Sequence, residues 1–175
     1  TYFSASPAVE QYFEQQLGNE LDVEFMGVVT WFLGSLFTWD TLPDGRLTVH
    51  ISQTAKIEQL LEDHGLEDSN PVHTVYRSGI SIDRIEHDGV DPDDKKVLVK
   101  SFQRLVGGLN WLSRCTRPKI TVATRLLSCH NLKASQGHYD SAKYVLQWLG
   151  GTCNFGIRYT QGGDFAKAIK GSQIV

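Results

Sequence analysis

The sequence predicts an α+β protein, in which an N-terminal helix and a small antiparallel β-sheet or hairpin precede a bundle of about three helices. β-branched and aromatic residues gather between Leu21 and Ser52, around a Pro43-Asp44-Gly45 turn. Apolar residues recur at three-and-four spacing after Phe102, after Val122 and after Ala142. A polar, acidic stretch from Asn70 to Pro92 separates the two patterns and is the best domain boundary. With 175 residues and 41% hydrophobic side chains, the chain buries one core, or two small ones joined by a linker.

Ser6 and Pro7, with Glu10 close behind, start the first helix, which runs to about Leu17 and stops at Gly18-Asn19. Val9, Phe13 and Leu17, with Tyr12 beside them, form its expected buried stripe. Leu21 to Leu36 reads as strands. Segments 35–39 and 47–52 flank the turn as a hairpin, where Arg46, Thr48 and His50 alternate with Leu47, Val49 and Ile51, placing one face in and one face out. Ser52 to His64 returns to helical spacing, with Ile57, Leu60 and Leu61 inward and Gly65 as the stop.

The helix starting near residue 100 buries Phe102, Leu105, Val106, Leu109 and Leu112. Arg117-Pro118 breaks the chain before a helix from about Ile120 to Leu132, with Val122, Ala123, Leu126 and Leu127 inward and Lys119 and Arg125 left to solvent or phosphate. A last helix, about His138 to Leu149, turns Ala142, Val145, Leu146 and Leu149 inward and Lys143 outward, and Gly150-Gly151 end it. Phe155 to Tyr159 reads as a short strand. The resulting divisions are 1–69, 70–98, 99–160 and a tail, 161–175.

Charge is divided along the chain. Residues 1–94 hold 18 Asp or Glu against 4 Lys or Arg, and residues 95–175 hold 2 against 13. A basic C-terminal half suits a phosphate backbone, because neutralised phosphates release counterions. An acidic half folded back on it would cancel part of that field.

Other functions find little support. No apolar run approaches the roughly 20 residues of a membrane span, and the first ten residues lack signal-peptide order. The opening on Thr1 reads as a fragment. Cys115, Cys129 and Cys153 are odd in number, which fits an intracellular, cytoplasmic or nuclear, reducing compartment, with buried thiols as the default. Cys129, His130, His138 and Cys153 match no zinc-finger spacing. Asp93-Asp94 reads as a solvated charge run, and no Ser-His-Asp or Cys-His arrangement emerges.

Gln103, Gly107 and Trp111 fall four residues apart and stack on one line of the helix. A helical glycine costs about 0.5–1 kcal/mol against alanine, so the pair Gly107-Gly108 calls for a reason. An amide, a bare patch of backbone and an indole suit a shallow groove such as the minor groove of an A-like duplex. On geometry alone the pattern suits helix-on-helix packing better, with glycine as the contact and tryptophan half-buried.

The ordered motifs resemble those of copia-type retrotransposon reverse transcriptases over nearly the whole chain. They are YFSASPAVEQYFEQQLG at the start, Trp31-Phe32-Leu33-Gly34, Ser52-Gln53, Tyr76-Arg77-Ser78-Gly79 with Ile82-Asp83, Leu105-Val106-Gly107-Gly108-Leu109, and Thr116-Arg117-Pro118. Leu127-Ser128, His138, Ala142, Leu149, Gly151-Thr152 and Gly156-Ile157 continue the series. The resemblance implies that 1–69 is the end of a palm carrying a primer-grip-like hairpin at Trp31, Phe32, Leu33 and Gly34, that 70–98 is an acidic connector, and that 99–160 is a thumb. Gln103, Gly107 and Trp111 would then track the primer strand of an RNA/DNA or DNA duplex, with Arg104, Arg114, Arg117, Lys119, Arg125 and Lys143 as candidate phosphate contacts.

The same resemblance puts the Tyr-x-Asp-Asp turn upstream of Thr1. Mg2+ is therefore expected for the parent polymerase, with no cofactor and no catalytic residue in this chain. The expected protein partners are the palm and fingers and the RNase H domain of the parent polyprotein, with no membrane. Lys119 stands where the family usually has Asp, Gly150 where it has Lys and Lys56 where it has an aromatic. These departures leave a second expectation, a domesticated, non-catalytic protein-interaction module.

Overall fold

The computed structural model describes residues 7–24, 27–77 and 92–162. The architecture is α+β, with a four-stranded antiparallel sheet and helices before and after it. Helix α1 (Pro7–Glu20) precedes strands β1 (Trp31–Phe32), β2 (Ser35–Thr41) and β3 (Leu47–Ser52). Helices α2 (Thr54–Asp63) and α3 (Pro92–Cys115) follow, then a 3₁₀ turn at Pro118–Ile120, helices α4 (Thr121–Ser128) and α5 (Gln136–Gly150), and strand β4 (Ile157–Thr160).

The expected hairpin is present. Asp44 accepts from the Arg46 backbone N–H at 3.2 Å and from Arg46 Nε at 2.8 Å, and Gly45 takes the left-handed φ of 82° that closes the turn. A second, tighter turn joins β1 to β2 through Leu33 (φ 48°) and Gly34 (φ 74°). Sheet order is β1-β2-β3-β4, so the last strand, reached after all the helices, pairs with β3 through Thr48↔Thr160 to Ile51↔Ile157. At Gly156 a β-carbon would lie 2.1 Å from the Ile51 carbonyl oxygen, so only glycine lets β4 approach.

The core draws Ile57 and Leu60 from α2, Phe102, Leu105, Leu109 and Leu112 from α3, Ile120, Ala123 and Leu127 from the next turns, and Ala142, Val145, Leu146 and Leu149 from α5. Helix α2, adjacent in sequence to the hairpin, therefore shares one core with the helices that follow. Pro118 ends α3 as expected. Ser135 and His138 form a reciprocal capping box that starts α5, satisfying otherwise unpaired N–H groups.

Several expectations need correction. Between Leu21 and Leu36 only Trp31–Phe32 and Ser35–Leu36 are extended, and the other described residues there are irregular, with Gly27 at φ 74°. The α1 stripe is not buried as expected: Val9, Tyr12 and Phe13 are exposed. In β3 the two faces are not cleanly separated: Leu47 is exposed, Thr48 and Ser52 are buried, and Val49, His50 and Ile51 are all intermediate. β3 is an inner strand, and beside β4 the Thr48 hydroxyl donates to the Tyr159 carbonyl at 2.9 Å. Val122 is exposed, and α4 ends at Ser128. Residues 92–98 of the expected connector are helical, while 78–91, with Ser78, Gly79, Ile82, Asp83, Glu86, Asp88 and Asp91, lie outside the described residues.

Candidate nucleic-acid interface

Helix α3 uses its two glycines differently. A β-carbon on Gly108 would sit 2.7 Å from Leu60 Cδ2, whereas one on Gly107 would meet nothing within 4 Å. Gly108 is thus the helix-on-helix contact, and Gly107 opens to solvent. Gln103 and Trp111 are exposed as well, Trp111 by 42%. The Gln103 amide is held by donating from Nε2 to the Asn131 carbonyl at 2.8 Å.

At 3.6 residues per turn, Lys96, Lys100, Gln103, Arg104, Gly107, Trp111 and Arg114 share about 100° of arc on this helix. All are exposed, and no Asp or Glu follows Asp94 on α3. The apolar stripe faces the core and the cationic one faces water, so the sign of the local field is positive along the glycine-tryptophan line. Lys119 and Arg125 are exposed on the following turns.

Two candidate cations are not placed for phosphate. Arg117 is only 3% exposed. Its Nη1 donates to the carbonyls of Thr152 at 2.7 Å and Phe155 at 3.4 Å, its Nη2 donates to the Thr152 hydroxyl, and its guanidinium lies 5.2 Å from the Trp148 ring centroid. Burial pushes its pKa down from the usual guanidinium value, and the nearby Cys153 offsets part of that. The expectation of a phosphate contact is therefore corrected: Arg117 is an internal fastener. Lys143 is half-buried, pairs with Asp140 at 2.9 Å and lies 4.8 Å from the Tyr139 ring centroid.

Near Lys143, His64 Nδ1 and the Tyr139 hydroxyl are 2.7 Å apart. Burial chiefly lowers the His64 pKa; Asp63 opposes the shift, while Arg104 and Lys143 reinforce it. Sequence spacing gave no hint of this pair, nor of the bond from Thr116 Oγ1 to Gln53 Oε1 at 2.8 Å, which joins the start of α2 to the end of α3.

At the other apolar surface, Trp31, Phe32 and Leu33 project from the β1-β2 turn, 55%, 42% and 64% exposed. Leu33 holds a left-handed backbone that disfavours a branched residue, and Gly34 completes the turn at no steric cost. Among the described residues there is no group of three or more His, Cys, Asp or Glu placed to hold a metal ion. The three cysteines are free thiols; Cys129, expected buried, is exposed at the end of α4. No helix among the described residues is long and apolar enough to cross a membrane.

An α+β fold with a cationic, glycine-notched helix is accompanied by sequence similarity that supports a retrotransposon-related origin. The chain is 28% identical over 142 residues to the uncharacterized mitochondrial protein AtMg00810 of Arabidopsis thaliana, covering 81% of this chain and 54% of that protein. It is 24% identical over 102 residues to the retrovirus-related Pol polyprotein from transposon TNT 1-94 of Nicotiana tabacum, covering 58% of this chain and 8% of the polyprotein. The chain thus spans about half of the first relative and a small part of the second. No family model and no solved structure matches it.

Proposed function

We propose that this chain is the template-primer-holding portion of a retrotransposon-derived RNA-directed DNA polymerase, binding an RNA/DNA or DNA duplex without performing chemistry itself. The observation that carries the reading is the solvent-facing line of Gln103, Gly107 and Trp111 within the cationic face of α3. Bare backbone at Gly107 lets a sugar-phosphate edge approach, the indole packs on sugars or bases, and the surrounding cations neutralise phosphates. Trp31 to Gly34 offers a second apolar contact. The two-ion chemistry of nucleotidyl transfer would belong to carboxylates upstream.

The test is a duplex titration at several salt concentrations. Trp111→Ala should weaken binding by about 1–3 kcal/mol, as expected for a stacked aromatic. Arg114→Ala should lower the salt dependence by about one phosphate. Unchanged affinity for both variants, at low and moderate salt, would refute the reading.

A second reading, a domesticated interaction module, draws on the exposed Val9, Tyr12 and Phe13 of α1. An upstream coding sequence with an intact Tyr-x-Asp-Asp turn supports the polymerase. Its loss, together with absent duplex binding, supports the module.

A further inference from the structure

We propose that Arg117 is a positioning residue: it fastens the sheet carrying Trp31 to Gly34 onto the helices carrying Gln103, Gly107 and Trp111, so that both surfaces meet one duplex at a fixed separation. This rests on the duplex-holding reading. Three distant pieces of chain are tied together at Arg117 and its neighbour Thr116. Residues 52–54 leave β3, 116–117 leave α3, and 152–157 lead from α5 into β4.

Each piece is tied to another by hydrogen bonds. Arg117 holds the Thr152 and Phe155 carbonyls and the Thr152 hydroxyl. Thr116 Oγ1 donates to Gln53 Oε1, which is buried, and Thr54 Oγ1 donates to the Cys153 carbonyl at 3.0 Å. Just beyond Phe155, Ile157 pairs with Ile51. The sheet thereby receives its fourth strand from the very turn that Arg117 grips.

No helix lies broadly across the sheet among the described residues, so these ties, with the β3-β4 ladder, set its orientation. Carbonyls, a hydroxyl and the Trp148 and Phe155 rings are the partners of the guanidinium. A planar fork reaches all of them at once; a lysine ammonium would not.

The experiment uses the full chain with Cys115, Cys129 and Cys153 replaced by serine and spin labels on cysteines placed at Thr38 and Val97. The distance distribution between the labels should be narrow in this background and broader in Arg117→Met, with the helical circular dichroism retained. Thr152→Val, which removes one partner and keeps the guanidinium, should broaden it less, and serves where Arg117→Met fails to fold. A broad starting distribution, or an equally narrow one in both variants, would overturn the proposal.

The unlabelled chain supplies a second readout. A duplex of about six base pairs, roughly 20 Å long, is shorter than the 24-residue α3 at about 36 Å, whereas one of about twenty, roughly 68 Å long, extends well beyond it. Arg117→Met should bind the longer duplex about tenfold less well or worse, because linked contacts no longer engage together, and bind the shorter one unchanged. Equal losses on both would show a purely structural residue and overturn the positioning role. If the parent chain binds neither duplex, the functional reading itself fails, while the label distances still report whether Arg117 fixes the sheet.

Discussion

Gly108 and Leu60 touch so closely that a single β-carbon on the glycine would come within 2.7 Å of Leu60 Cδ2, while the neighbouring Gly107 faces open space. Two adjacent glycines thus answer to different demands, one to packing and one to the solvent face.

Alanine separates the two demands. Gly107→Ala should stabilise the protein by about 0.5–1 kcal/mol, the helix-propensity gain at an unobstructed site, yet weaken duplex binding by placing a methyl on the bare backbone. Gly108→Ala should destabilise it: pressing on the buried Leu60 costs about 1–3 kcal/mol, partly offset by the same propensity gain. Urea denaturation of both variants, with duplex titration of the first, checks the pair.

Removing the internal cation should be costly where removing surface cations is not. Arg117→Ala removes the guanidinium's bonds to the Phe155 carbonyl, the Thr152 hydroxyl and the Thr152 carbonyl, the last of which keeps the Phe155 N–H, a loss of roughly 2–4 kcal/mol. Lys119→Ala and Arg125→Ala, both exposed, should stay within about 0.5 kcal/mol of the parent. Denaturant midpoints at equal slope measure the contrast.

Acidification should weaken the fold through His64. Its pKa is lowered in the folded chain, chiefly by burial, so the unfolded chain binds the proton more readily. Stability attributable to this group is fully present above the ordinary value of about 6.5 and is lost as pH falls through the lowered folded value. Thermal unfolding of the parent and of His64→Gln between pH 7.5 and about 5 should show a shallower decline in the variant.

Gly156→Ala should release β4. Its β-carbon would overlap the Ile51 carbonyl oxygen, main chain that cannot rotate away, so a cost at or above about 3 kcal/mol follows. Amide hydrogen exchange should rise in 157–160 and along β3, while Leu105 and Leu109 stay protected.

The helices and the hairpin were legible because their signals are local. The apolar repeat of α3 fixes its inner face, and so leaves Gln103, Gly107 and Trp111 on the outside; Pro43-Asp44-Gly45 dictates the hairpin. Arg117 was not legible, since Arg-Pro reads as a surface break and its burial depends on Thr152 and Phe155, far along the chain. The alternation in β3 gives two faces but not which is covered. The apolar residues of α1 were expected to be buried, yet Val9, Tyr12 and Phe13 are exposed, and spacing within one helix does not say whether its stripe is covered.

The pairing of residues 48–51 with 157–160 makes this sheet dependent on a segment synthesised only after helices α1 to α5. A product halted after Gly150 would possess every core helix and still present the flank of β3 as unsatisfied main chain, an invitation to intermolecular strand addition. Shortened versions should therefore be cut beyond Gln161, whose backbone N–H still reaches the Leu47 carbonyl at 2.8 Å; those ending earlier should aggregate despite an intact helical interior.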